Sequence, residues 1–189
     1  RLGNVSALVV RGHGTANMVP PRITEQPLVI PPVSALPPKQ LAAAELLLLK
    51  QRHQCDGRDG LPTASYHRLD AHTTLLLLQA ACAPYNGEGT AYLVNNRGLA
   101  RLAPVRILPG DPPLEAPQVM SAYWDRQVRR LHSFERGRAM ADCGQQSAFA
   151  WDGIQFLLVE EADMGGCRGS IDYITVYRRE TRVGKALAP

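Results

Sequence analysis

Apolar residues crowd together at helical density between residues 40 and 53, and beyond residue 60 they fall into short runs with strand periodicity. The first stretch, Gln40 to Lys50, is rich in strong helix formers, and Lys50 and Arg52 suit a C-terminal helical turn. Leu41, Glu45, Leu48 and Leu49 leave no clean polar face, which predicts a helix pressed against a sheet. Thr73 to Gln79 then reads as a buried strand. Thr90–Val94 and Leu99–Val105 follow, divided by the hairpin-grade turn Asn95-Asn96-Arg97-Gly98. The last third is the clearest meander: Met120–Asp125, Arg130–Arg136, Ser147–Trp151, Ile154–Glu160 and Ile171–Tyr177. Asp152-Gly153 between two apolar runs is a strong hairpin signal. Phe149 and Trp151 alternate with Ala148 and Ala150, the period of two expected of a half-buried strand. The expected fold class is α+β: a mainly antiparallel β meander with one packed helix.

The first forty residues do not read as a domain. Val5 to Val10 suits a strand that Arg11-Gly12-His13-Gly14 would stop, and residues 19–38 then carry seven prolines. Each proline fixes φ and removes a donor, so an extended, semi-rigid linker or surface strap is expected. The predicted organisation is a remnant and proline-rich linker over residues 1–40, a β-rich domain over 41–183, and a tail over 184–189. Pro109 to Pro117 reads as a second linker-like loop. The chain starts at Arg1, and the expectation is a mature or trimmed product whose export signal has been removed.

Length and composition narrow the class. A chain of 189 residues can bury one medium core, and 45% hydrophobic with 20% charged residues argues against wholesale disorder. No apolar run approaches the roughly 18 residues that span a membrane. The formal charge of +4 gathers late in the chain, without the dense stripe and interleaved aromatics of a nucleic-acid surface. No nucleic-acid partner is expected.

Four cysteines carry the strongest chemical signal. Cys55, Cys82, Cys143 and Cys167 each sit in turn chemistry, and no Cys-x-x-Cys occurs. An even count at wide spacing favours structural disulfides in an oxidising compartment over a zinc or redox centre. Of the three connectivities, the sequential one, Cys55 with Cys82 and Cys143 with Cys167, is preferred. Each bridge would close a loop of about 25 residues, worth about 3–4 kcal/mol in the chain-entropy view.

Other constellations are weaker. His67 and His72 are five apart, which shares neither a helix face nor a strand face, so all five histidines read as surface or turn residues. Glu160, Glu161 and Asp163, with Asp142 and Asp152 brought near by the second bridge, would be the material of a two-carboxylate hydrolase. A nucleophile elbow and a phosphate-cradling glycine loop are both missing. Arg136, Arg138 and Arg168, with Asp142, cluster around the Cys143–Cys167 staple. Held rigidly, these arginines would either receive an acidic group of a partner or form internal ion pairs. No cofactor and no metal are expected.

Gly137-Arg138-Ala139-Met140-Ala141-Asp142-Cys143-Gly144, then Trp151-Asp152-Gly153-Ile154-Gln155-Phe156, then Cys167-Arg168-Gly169-Ser170 resemble the bacterial exported family catalogued as domain of unknown function 1176. Its members carry a "GRGLGDCG … WDGxxF … CRGS" pattern, and Cys82-Ala83-Pro84-Tyr85-Asn86-Gly87 resembles its "CxxGAYN" element. Ala139, Ala141 and Pro84 depart from that pattern. The match is expected over residues 41–179, making the chain look like a C-terminal portion of the family with an upstream domain missing. The resemblance implies an exported protein of Gram-negative bacteria and supplies no mechanism. The functional expectation is a non-enzymatic periplasmic module that binds another envelope protein, of inhibitor or immunity type. The competing expectations are an envelope hydrolase built on the acidic cluster and a module supporting the missing domain.

Overall fold

The computed structural model describes residues 26–56, 60–106, 112 and 118–184. The strand expected at residues 5–10 and the loop expected at 109–117 lie outside the described residues, apart from Pro112. Among the described residues the elements run β1 (Leu28–Ile30), α1 (Ala43–Arg52), β2 (Thr63–Arg68), β3 (Thr74–Ala80), β4 (Glu88–Val94), β5 (Ala100–Leu102), β6 (Val105–Arg106) and β7 (Gln118–Met120). They continue with β8 (Tyr123–Asp125), β9 (Arg130–Arg136), β10 (Gly144–Trp151), β11 (Phe156–Met164), β12 (Ile174–Arg178) and β13 (Thr181–Val183). The chain is α+β, dominated by antiparallel strands, with one helix among the described residues.

Two antiparallel sheets form the body. The first runs β2-β3-β4-β5, with β7 joining β4 at Glu88–Thr90. The second runs β12-β11-β10-β9-β8, with β6 joining β11 in parallel at Phe156 and Leu157. Period-two alternation divides their side chains between layers. On the first sheet Leu75, Leu77, Ala91 and Leu93 meet Leu131, Phe149, Trp151, Phe156 and Leu158 of the second, and these residues form the main core. The alternate residues Leu76, Leu78, Tyr92 and Val94 pack under Leu41 and Leu49 of the helical segment. Helix α1 therefore covers the outer face of the first sheet, which is why Leu75 to Leu78 is buried without interruption.

The second sheet is covered too. Ala148, Ala150, Leu157 and Val159 on its outer face are packed by Leu28 and Ile30 of β1. Strand β1 pairs in parallel with β13, Leu28 opposite Thr181 and Ile30 opposite Val183. Sequence periodicity had predicted a half-buried strand at Ser147–Trp151, but Ala148 and Ala150 are 3% and 0% exposed. Alanines suit that face because the strap lies directly on them. The stretch read as one strand from Met120 to Asp125 is two, broken at Ser121, whose φ of 43° turns the chain between sheets. Pro104, lacking an amide donor, likewise divides Leu99–Val105 into β5 and β6.

Both disulfides form in the sequential pairing. Cys55 and Cys82 are bridged with Cα atoms 5.2 Å apart, and Cys143 and Cys167 with Cα atoms 4.7 Å apart. The first ties the segment following α1 to the β3–β4 connection; the second joins the β9–β10 and β11–β12 connections. No helix among the described residues is long and apolar enough to cross a membrane.

Candidate functional site

Pairing register brings three connections to one end of the body. Gly144 of β10 pairs with Arg136 of β9 on one side and Met164 of β11 on the other, so residues 137–143 and 165–173 leave the second sheet at the same end. The 81–87 connection of the first sheet docks onto them through Asn86. Its Nδ2 donates to the Arg136 carbonyl at 2.9 Å, while its Oδ1 accepts the Arg136 amide at 3.0 Å. The amide side chain thus imitates one more rung of ladder at the end of β9. The Arg136 guanidinium donates to the Tyr85 carbonyl at 2.8 Å and lies 5.3 Å over the Phe134 ring.

Asp142 is the polar centre of this end and is 1% exposed. Its carboxylate accepts Arg138 Nε at 2.6 Å, a second Arg138 nitrogen, and the Gly169 amide at 2.7 Å. Arg138 also donates to the Cys167 carbonyl at 3.3 Å. The Arg138 guanidinium beside Asp142 is the main cause that holds the carboxyl well below the usual carboxylate range, and the Gly169 amide adds to it. The same hydrogen bond raises the Arg138 pKa. The Tyr173 hydroxyl donates to the Ala141 carbonyl at 3.1 Å, closing the loop against β12. Two backbone features complete the cradle. A Cβ on Gly137 would lie 2.7 Å from Cys143 Sγ, and one on Gly144, whose φ is +133°, would lie 2.1 Å from the Glu135 carbonyl oxygen.

Asp142 and the sulfurs of Cys143 and Cys167 lie within 4.8 Å of one another. The sulfurs are bonded to each other, and a disulfide offers a metal no thiolate. What this arrangement can do is hold a surface. Arg138 remains 45% exposed despite its ion pair, and Arg168 is exposed with no hydrogen bond or ion pair among the described residues. Met140 and Ile171 of the same connections are 69% and 72% exposed, and Ile174 and Val176 of the adjoining β12 are 66% and 49% exposed.

The remaining acidic residues do not converge. Asp152 caps its own hairpin turn, accepting the amides of Ile154 and Gln155 at 2.7 and 2.8 Å. It stands at the far end of β10 from Asp142, about 25 Å of strand away. Glu160 bridges Arg130 and Arg178 at 2.9 and 3.1 Å, and Glu161 accepts Gln145. Three histidines are more enclosed than their surface reading implied. His53 pairs with the Tyr92 hydroxyl at 2.7 Å, His67 stacks on Trp124, and His132 stacks on Tyr123 with centroids 4.7 Å apart. Burial is the main cause that lowers the pKa of each. Asn86 was missed as a site-building residue, because Tyr85-Asn86-Gly87 carries only a turn signal and its partner is 50 residues away.

The family described as "Protein of unknown function (DUF1176)" matches residues 1–180. The chain belongs to this family. The match corrects the expected boundaries: it extends through the N-terminal forty residues and is not confined to 41–179. The uncharacterised protein YpfG of Escherichia coli strain K12 is 30% identical over 96 residues, which cover 49% of this chain. The chain spans less than a third of that relative, 28% of its length being matched. No solved structure matches the fold.

Proposed function

We propose that this member of the family is a non-enzymatic protein-binding module of the bacterial envelope, acting as an inhibitor or immunity-type protein through its disulfide-tied loop end. One observation carries the reading: Met140 and Ile171 stand exposed on the connections tied by the Cys143–Cys167 bridge, which also carry Arg138 and Arg168, and Ile174 and Val176 stand exposed on the adjoining strand β12. Exposed apolar side chains together with arginine have the composition of an interface centre. Fixed loops lose little conformational entropy on docking. Strand β12 adds a second means of grip. Among the described residues it pairs with β11 along one edge only, so its other edge offers backbone donors and acceptors to an added strand. The envelope assignment rests on the two disulfides, which persist in oxidising compartments.

The test is capture from an envelope extract with the disulfides intact, comparing the wild-type chain with an Ile174→Asp, Arg168→Glu double variant. Both positions are exposed, so the variant should fold. The expected result is one dominant partner at near-equal stoichiometry, lost with the variant. Equal recovery by both proteins, or no partner with the wild type, overturns the proposal.

A further inference from the structure

Strands β2 and β8 are terminal strands of the two sheets. A cavity of about 220 Å³ is lined by residues of both strands, by the turn after β8, and by Val33 and Pro38 of the proline-rich strap. Its chemistry is one-sided. Arg68, Arg126 and Arg129 all line it, and none makes an ion pair among the described residues.

Two of these arginines are parts of the wall. Arg129 donates to the carbonyls of Pro31 and Leu69 at 2.5 and 3.1 Å, and so pins the strap to the body. Arg68 donates to Thr74 Oγ1 and to the Ala71 carbonyl. Arg126 is exposed and makes neither a hydrogen bond nor an ion pair among the described residues. The positive field is offset only in part. Asp70 pulls on Arg129 while accepting Trp151 Nε1 at 2.7 Å, and Asp125 is engaged by the amides of Gln127 and Val128.

Three nitrogens of lining residues, His67 Nδ1, Arg68 Nε and Arg129 Nε, are buried without a hydrogen-bond partner. Buried polar groups are rarely left so, and each such group calls for an explanation. The rest of the lining includes an apolar part, Val33, Pro38 and Trp124, and His67 stacks on Trp124 with centroids 6.3 Å apart. Guanidinium groups recognise carboxylate and phosphate oxygens, and an apolar wall takes the carbon body attached to them. The cavity is smaller than the roughly 300–1,000 Å³ of drug-sized sites, so the ligand is small.

We propose that this cavity binds a small amphiphilic anion, a carboxylate or phosphate head on a compact apolar or ring-shaped body, with Arg126 supplying the free charge. The site is distinct from the disulfide-tied loop end and does not depend on the partner proposed for it. Binding is tested with benzoate, phenyl phosphate and inorganic phosphate, added separately to the intact chain. The readouts are Trp124 fluorescence and the His67 ring resonances. Saturable binding of benzoate or phenyl phosphate is expected, at least tenfold tighter than inorganic phosphate. Benzoate preference marks a carboxylate ligand and phenyl phosphate preference a phosphate ester; either supports the site. Arg126→Gln should weaken binding by about tenfold, and Arg126→Lys should restore part of it, because the charge remains while the planar fork is lost. No saturable change up to 10 mM of any probe, inorganic phosphate binding as well as the ring-bearing anions, or undiminished binding by Arg126→Gln overturns the proposal.

Discussion

Asp142 and Gly169 are joined by a 2.7 Å hydrogen bond across 27 residues of sequence, beside the disulfide that ties the same two loops. Asp142 also holds Arg138 through two of its nitrogens, so one buried carboxylate fixes both loops and sets the position of the exposed guanidinium. The Asp-Cys-Gly and Cys-Arg-Gly elements thus act as a single unit. Their polar and covalent ties are parallel.

Acid unfolding should report this carboxylate. Its pKa is depressed in the folded chain, chiefly by Arg138. A depressed carboxylate stabilises the fold at every pH above its unfolded value of about 4, and that contribution is lost as pH falls through the folded value. Asp142→Asn keeps an acceptor for the Gly169 amide but removes the charge facing Arg138. The variant should have a lower urea midpoint than wild type at pH 5–7, with the gap closing below about pH 4. Urea titrations across that range check it, and a gap constant down to pH 2 contradicts the assignment.

Two substitutions at the β9–β10 turn, one in the connection and one at the first residue of β10, should move stability in opposite directions. Ala141 adopts φ +56°, and an L-residue there carries about 1–2 kcal/mol of strain. Ala141→Gly relieves that strain against a gain in unfolded-state freedom, for a net stabilisation of about 0–1 kcal/mol. Gly144→Ala meets both a φ of +133° and the Glu135 carbonyl at 2.1 Å. It should cost about 3 kcal/mol or more, since backbone cannot step aside cheaply. Thermal denaturation of the pair, with disulfides oxidised, distinguishes them.

Much of the second sheet was legible because its signals are local. Arg130–Arg136 is bounded as expected, and Asp152-Gly153 does join β10 to β11. Strands β1 and β13 were invisible for the opposite reason: three residues each, paired in parallel across some 150 positions, with no local pattern. Strand β2 was also missed. Thr63-Ala64-Ser65-Tyr66-His67-Arg68 is mostly polar because it forms an edge, and its Arg68 and His67 line the cavity where a buried strand would show leucines. At the loop end, turn residues and cysteines announced themselves. The docking of Asn86 onto Arg136 did not, since nothing in either segment names the other.

The strap should be a folding requirement. Leu28 and Ile30 are 6% and 4% exposed over Ala148, Ala150, Leu157 and Val159. Truncating either to alanine leaves a cavity against Ala148 and Ala150, whose methyl groups are too short to fill it. Leu28→Ala or Ile30→Ala should each cost about 2–4 kcal/mol, lowering the thermal midpoint by roughly 5–15 °C. Val29 points outward at 43% exposure, so Val29→Ala should shift the midpoint by no more than a degree or two. Calorimetry on the three variants checks the alternation directly, and equal effects would place the strap elsewhere.

Mild acid should weaken the fold through its histidines. His53, His67 and His132 all have pKa values lowered chiefly by burial, so the folded chain prefers them neutral. For a histidine depressed in this way, the unfolded chain binds the proton first. Its stabilising effect is complete above the unfolded value of about 6.5 and is lost as pH falls below it. The charges around them differ: Arg52 near His53, Arg126 near His67, and Asp125, Arg130 and Glu160 near His132. Only His132 has carboxylates among these neighbours to oppose the shift. The urea midpoint should therefore decline between pH 7.5 and 5.5, and the decline should be shallower in His67→Gln than in His132→Gln. A midpoint flat over that interval would mean that the buried rings accept protons without cost.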